Sequence, residues 1–200
     1  MTLGGESALS AAEIDNWLAA PRFRSYLAVT DSDPALALEL YRWNSQAAAA
    51  ALVDVGHLEV ALRNGYDRVL IVKHPEWTID RASTLFERVQ GLRRSHGRQR
   101  ELNSGSREAI AAAARGLGAE PSHGQMVAAL PFGFWSQLTR AERAGAFWNP
   151  IIHRVFPPGT SRPQVHDLVQ RVVKFRNRLV AQRAGLLQQH GPAGAAVRRL

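Results

Sequence analysis

The sequence contains no cysteine and no long uninterrupted apolar run. Without cysteine the chain can form neither disulfides nor thiolate metal sites, which fits a reducing compartment. No apolar run reaches the roughly 18 residues that a membrane-spanning helix requires. The N-terminus lacks the basic start followed by an apolar core that is typical of a secretory signal. We therefore expect a cytoplasmic protein with no membrane partner.

The sequence also lacks the patterns typical of several kinds of catalytic site. None of the seven histidines has a second histidine four residues away, so the helical metal-binding pattern is absent. No glycine-rich phosphate loop follows a strand, and no serine lies in a nucleophile elbow. The sequence thus predicts no metal site and no bound cofactor.

The composition favours a helical domain with a basic surface. Alanine is abundant and β-branched runs are few, so we predict an all-α fold. Two hundred residues suit one domain with a core of its own. The formal charge is +8, and arginine far outnumbers lysine. This charge favours a polyanionic partner such as RNA.

The first half of the chain predicts one long helix. Residues 1–9 read as a flexible leader, and a capping box at Ser10 begins the domain, which we place at residues 10–187. Asp33 and Pro34 predict the start of a helix that runs to about Val72. The following residues share its predicted core-facing side: Val55, Leu58, Leu62, Tyr66 and Val69.

The middle of the chain alternates between polar and aromatic segments. Residues 81–94 are expected to be helical, and residues 91–105 form a basic, polar stretch that predicts a mobile loop. This loop is either a solvated surface or a grip for RNA phosphates. Residues 106–117 predict a short helix. The later aromatic residues are expected in the core: Phe132, Phe134, Trp135, Phe147 and Trp148.

The last predicted helix carries an arginine on its apolar face. It begins near Ser161 and ends near Gly185, and residues 188–200 read as a disordered basic tail. The apolar face consists of Val165, Leu168, Val169, Val172, Phe175, Leu179 and Val180. Arg176 points into the middle of this face. Because a guanidinium stays charged, it needs either an acidic partner or a cleft that receives an anion.

The segment Arg176-Asn177-Arg178-Leu179-Val180-Ala181 resembles the Arg-Asn-Arg-Ile-Ala-His motif of Abi-like (abortive infection) proteins. These proteins belong to the HEPN superfamily of helical nucleases and nucleotide binders. Three further blocks agree in order: residues 40–44 (LYRWN), 59–64 (EVALRN) and 131–135 (PFGFW), the last after the run 123–127 (HGQMV). Together they cover most of residues 20–187. The resemblance implies a HEPN-like helical bundle with a long helix in its N-terminal half and a C-terminal motif helix.

The resemblance also implies roles for individual residues. Arg176 would hold the scissile phosphate, and Asn177 would orient a histidine at position 181 that acts as acid and base. This chain has Ala181 there, so it lacks a titrating group at that position. Further contacts to RNA would come from Lys174, Arg178 and Arg183. The site would be supported by Glu59, Arg63 and Asn64.

The alanine has two explanations. The active site decayed naturally, or the histidine was replaced deliberately because a toxic nuclease is hard to produce. We favour deliberate replacement, since Arg176 and Asn177 remain. His166 cannot substitute within one subunit, because about 16 Å of helix separates it from Asn177.

Arg176 also has a structural alternative. It could form an ion pair with Glu59, which could share a small network with Arg63 one helical turn away. This role is compatible with catalysis.

The sequence therefore predicts a metal-independent endoribonuclease of phage defence or of a toxin–antitoxin pair, inactivated by Ala181. Metal-free cleavage would leave a 2′,3′-cyclic phosphate. The expected partners are RNA, a second copy of the chain in a homodimer, and a cognate antitoxin or regulatory protein. The alternatives are a non-catalytic module that binds RNA or a partner, and a helical scaffold whose basic surface is incidental.

Overall fold

The regular structure of the described residues consists of six α-helices, one short hairpin, two 3-10 helices (Ala141–Arg143 and Ile152–Val155) and one π-helical turn (Ala144–Trp148). A computed structural model describes the backbone of residues 20–80, 83–88, 90–95 and 98–189, and the side chains of residues 23–80, 83–88 and 101–181. The helices are α1 (Ala20–Leu27), α2 (Pro34–Leu70), α3 (Ser104–Leu117), α4 (His123–Ala129), α5 (Phe132–Gln137) and α6 (Arg162–Gln189). The strands are β1 (Gln90–Ser95) and β2 (Arg98–Glu101). The all-α prediction is confirmed, with this hairpin as a local exception.

The chain divides into two compact units. The first contains Met1–Asp54 and Arg176–Leu200, and the second contains Val55–Phe175. Helices α2 and α6 each continue from one unit into the other. The predicted leader 1–9 and the capping box at Ser10 lie outside the described residues, as does the tail from residue 190. Helix α6 itself runs to Gln189, beyond the predicted end near Gly185.

Helix α2 begins where the sequence predicts. The Asp33 carboxylate accepts hydrogen bonds from the backbone N–H groups of Ala35 and Leu36, at 2.9 and 3.2 Å. These bonds satisfy donors that the first turn leaves without helical partners. The helix then continues through 37 residues. No described helix is both long and apolar enough to cross a membrane.

A small cluster stabilises the first unit. Phe23 of α1 packs with Ala37, Leu38 and Tyr41 of α2. Tyr26 lies edge-on to Tyr41, with ring centroids 5.4 Å apart, and its hydroxyl accepts a hydrogen bond from Asn44 Nδ2 at 2.7 Å. Helix α1 is therefore held against α2 mainly by contacts of its aromatic residues.

The second unit contains the larger core, which is aromatic at its centre. Trp77 stacks on Phe134 with ring centroids 5.8 Å apart, and Trp135 and Tyr66 are fully buried. The prediction that Phe132, Phe134, Trp135, Phe147 and Trp148 belong to the core is confirmed. Gly65 permits a close approach here, since a Cβ at this position would lie 2.9 Å from Val155 Cγ1.

The described residues between 83 and 101 differ from the prediction. The expected helix over 81–94 is wrong, and the expected loop over 91–105 instead contains the antiparallel pair β1–β2 and the start of α3. The ladder is irregular between Gln90 and Arg94. Local composition gives little signal for such a hairpin, because the segment has few of the β-branched and aromatic residues that mark strands.

The predicted core faces of the two long helices are partly wrong. Val55, Leu62 and Tyr66 are buried on α2, but Leu58 is 45% exposed. On α6, Val165, Val169 and Leu179 are buried, whereas Leu168, Phe175 and Val180 are exposed. Helical periodicity predicts which residues share one face of a helix. How much of that face is covered by a neighbouring element depends on tertiary packing.

Candidate nucleic-acid interface

The helix that carries the predicted site starts with a capping box. The Ser161 hydroxyl accepts a hydrogen bond from the Gln164 backbone N–H at 3.4 Å. In return, Gln164 Oε1 accepts one from the Ser161 backbone N–H at 3.2 Å. The predicted start of the helix near Ser161 is confirmed. This cap fixes the helical phase, and hence the direction of each later side chain on α6.

The predicted catalytic residues lie together on α6. Asn177 and Ala181 are one turn apart and both exposed, and Arg176 is half-buried beside them. Leu179 in this stretch of helix is buried. Residues four apart on a helix face the same way. A histidine at position 181 would therefore project on the same side as the Asn177 amide.

Two basic side chains lie on the same exposed side of α6 as Asn177 and Ala181. Lys174 and Arg178 are exposed, and with Asn177 and Ala181 they follow the spacing i, i+3, i+4, i+7 along α6. We call these four residues the α6 stripe. The backbone of Arg183 is helical, but its side chain lies outside the described residues.

Arg176 differs from its neighbours because it is partly withdrawn from solvent. Among the described residues of its own unit, no carboxylate forms a salt bridge with it. Its predicted pairing with Glu59, a residue of the other unit, stays a prediction. A half-buried guanidinium that forms no salt bridge with a described carboxylate of its unit retains its capacity to bind a phosphate in a bidentate manner.

Of the predicted supporting residues on α2, Arg63 has a hydrogen-bond partner on α4. The expected Glu59–Arg63 pair does not form within the described residues of the second unit. Instead Arg63 Nη1 donates a hydrogen bond to the Ala128 carbonyl at 3.2 Å. This contact satisfies a carbonyl in the last turn of α4. Asn64 is exposed.

A second polar cluster was not predicted as a functional group. His123 Nε2 lies 2.9 Å from Asp67 Oδ1, and His123 Nδ1 lies 2.8 Å from Thr78 Oγ1. Trp77 Nε1 donates a hydrogen bond to the same Asp67 oxygen at 2.8 Å. We call Asp67, His123 and Thr78 the His123 cluster. The only sequence signal was the capping box of Ser122 and Gln125, which makes His123 the first residue of α4.

A third polar contact involves the beginning of α6. His166 Nδ1 lies 3.0 Å from Thr139 Oγ1, and Arg162 Nη1 donates a hydrogen bond to the Thr139 carbonyl at 2.7 Å. Burial and the nearby positive charge of Arg162 lower the pKa of His166. Its imidazole is therefore held in the neutral form more strongly than a free histidine.

Within the residues that the structure describes, no group of three or more His, Asp or Glu side chains could hold a metal ion. The chain matches no known protein-family model, no curated protein and no solved structure.

Proposed function

We propose that this chain is a metal-independent endoribonuclease of bacterial phage defence or of a toxin–antitoxin pair, in a form inactivated at position 181. One observation carries the proposal. The α6 stripe presents Asn177 and Ala181 to solvent one turn apart, with half-buried Arg176 beside them and two exposed cations. A phosphate, a histidine and its orienting amide would fit this arrangement.

The chemistry needs a base, an acid and a cation. The base removes the proton from a ribose 2′-hydroxyl, whose oxygen attacks the adjacent phosphorus. The cation stabilises the charge of the phosphorane, and the acid returns a proton to the departing 5′-oxygen. Histidine at position 181 would perform the proton transfers, and Arg176 would bind the phosphate. Ala181 has no titratable group, so this form would bind RNA and cut it poorly.

The working form would be a homodimer located in the cytoplasm. In a dimer, two copies of the α6 stripe would contact one RNA. In a monomer, a single copy of Arg176 and of residue 181 would have to bind the phosphate and carry out both proton transfers. Light scattering at micromolar concentration should give about twice the mass of one chain. A monomer at that concentration would contradict this part of the proposal.

The direct test is the Ala181→His variant. It should cleave RNA in the presence of a chelator and leave a 2′,3′-cyclic phosphate, with a rate about 10²–10⁴-fold above the Ala181 form. Ala181→Gln is the matched control, because it adds a polar side chain of similar length without a titrating ring. Adding Arg176→Ala to the histidine form should abolish cleavage.

The alternative is a non-catalytic module that binds RNA or a regulatory protein. The alanine itself favours it, since the chain in hand has no acid–base group at that position. If the histidine variant folds, dimerises and binds RNA but leaves it intact, the nuclease proposal fails and this alternative replaces it.

A further inference from the structure

The His123 cluster has the geometry of an activated nucleophile. A hydroxyl, an imidazole and a carboxylate are joined in series, with heavy-atom distances of 2.8 and 2.9 Å. Thr78 is 6% exposed, and His123 and Asp67 expose less than a fifth of their side chains. A nucleophile within hydrogen-bond reach of a base, which a third group orients, is the arrangement that covalent catalysis requires.

The hydrogen bonds fix the direction in which the protons point. A carboxylate can only accept, so His123 Nε2 carries a proton and donates it to Asp67 Oδ1. When the ring carries only this proton, Nδ1 has a lone pair, and the Thr78 hydroxyl donates to it. The hydroxyl proton of Thr78 is therefore already directed at the base that would remove it.

In the other threonine–histidine pair, Thr139 and His166, the hydrogen bond runs in the opposite direction. Thr139 Oγ1 donates its proton to the Ser136 carbonyl at 3.1 Å, so His166 Nδ1 must donate to Thr139. Thr139 is also fully buried. Thr139 thus has a histidine partner but no base, which makes it a matched control for Thr78.

Thr78 is one of the residues that line an open surface pocket of about 540 Å³. This volume is within the range of small-molecule sites, roughly 300–1,000 Å³. The apolar part of the lining includes Trp77, Ile79, Phe86 and Ile110, and its charged part includes Glu87, Arg88 and Arg107. Arg107 is paired with Glu101. Such a lining suits a small apolar acyl group attached to a polar remainder.

We propose that the His123 cluster is an acyl-transfer site that hydrolyses small carboxylic esters, with Thr78 as nucleophile and His123 as general base. Thr78 Oγ attacks the ester carbonyl carbon while its proton moves to His123 Nδ1. The imidazolium, stabilised by Asp67, then protonates the departing alkoxide, and the alcohol leaves. Water attacks the acyl-threonine by the same proton transfers, which releases the acid and restores the hydroxyl. Asp67 is a positioning residue in this scheme.

The test uses the full chain and a fluorophosphonate, which reacts with activated hydroxyls. Tandem mass spectrometry should place the adduct on Thr78, and the chain should release p-nitrophenol from p-nitrophenyl butyrate. His123→Gln should lower the labelling rate about 10²–10⁴-fold. Thr78→Val should abolish the adduct, whereas Thr78→Ser should label at least as fast as the original chain, since a primary hydroxyl is less hindered.

Thr139→Val should leave labelling of Thr78 unchanged. Circular dichroism of every variant checks that the fold is kept, and the serine variant keeps the test decisive if Thr78→Val does not fold. Absence of a Thr78 adduct in both the original chain and Thr78→Ser would overturn the proposal and leave a purely structural hydrogen-bond network. This result is independent of position 181, so it does not bear on the ribonuclease proposal.

Discussion

Arg143 Nη1 donates a hydrogen bond to Ser106 Oγ at 3.0 Å, and both side chains are buried. Another guanidinium nitrogen of Arg143 donates to the Leu102 carbonyl, and the guanidinium carbon lies 5.7 Å from the centre of the Phe147 ring. An arginine thus connects the segment after β2 to the aromatic core of the second unit. Its planar fork reaches partners that a lysine could not satisfy together.

Replacing Arg143 by methionine should destabilise the protein by about 2 kcal/mol, because it removes the donor to a buried hydroxyl and to a partly buried carbonyl. The free energy of unfolding in urea measures this loss. Arg154→Met, at an exposed position, is the control and should change stability by less than about 0.5 kcal/mol. Equal effects of the two substitutions would show that the Arg143 contacts contribute nothing specific.

Tyr66→Phe should stabilise the protein. The Tyr66 hydroxyl is buried and has no hydrogen-bond partner among the described residues, and burial raises its pKa. Removing an unsatisfied hydroxyl should add about 1 kcal/mol to the free energy of unfolding. Tyr26→Phe is the matched control and should destabilise, since the Tyr26 hydroxyl accepts a hydrogen bond from Asn44. Loss of stability in Tyr66→Phe would mean that its hydroxyl has a partner in solution.

His166 should make stability depend on pH. Its pKa is lower in the folded chain than the unfolded value of 6.5, so the unfolded chain takes up the proton first. The folded state should therefore lose stability as pH falls from about 6.5 toward the lower, folded pKa. His166→Asn should flatten this part of the profile in urea denaturation at pH 7.5, 6.5 and 5.5. Parallel profiles for the two proteins would refute the predicted shift.

RNA binding should depend on salt through the α6 stripe. Lys174→Ala and Arg178→Ala should each weaken binding for all sequences and reduce the slope of log K against log salt by about one. Fluorescence anisotropy with a labelled oligonucleotide at several salt concentrations measures the slope. Arg154→Ala should leave it unchanged. An affinity that does not respond to salt would point to a small-molecule site instead.

The long helices and the aromatic core were predictable from sequence because their signals are local. Each helix start is determined by residues next to it, namely Asp33 and Pro34 for α2 and Ser161 for α6. The burial of Tyr66 is likewise indicated by its spacing from nearby apolar residues of α2. Arg143 could not be recognised as buried, since its segment reads as a charged surface turn and its partner Ser106 is distant in sequence. The His123 cluster was missed for the same reason, since Asp67, Thr78 and His123 come from separate segments. The hairpin was missed for a different reason, because its two adjacent strands have few of the residues that mark strands.

The candidate site was only partly predictable. Helical periodicity placed Asn177 and Ala181 on one side of α6 and correctly put Arg176 nearer the interior than its neighbours. It did not reveal that Leu168 and Phe175 stay exposed, or that Arg63 turns toward Ala128. Both outcomes depend on which surfaces meet, and that information is spread over the whole chain.

The passage of α2 through both units has a consequence for cooperativity. An unbroken helix need not open as one body, because its segments draw stability from different cores. Residues 34–54 are supported by the small cluster of Phe23, Ala37, Leu38 and Tyr41, whereas residues 55–70 contribute to the extensive aromatic cluster. Amide hydrogens of the first segment should exchange with deuterium well before those of the second, so that α2 behaves as two folding units joined by continuous backbone hydrogen bonds.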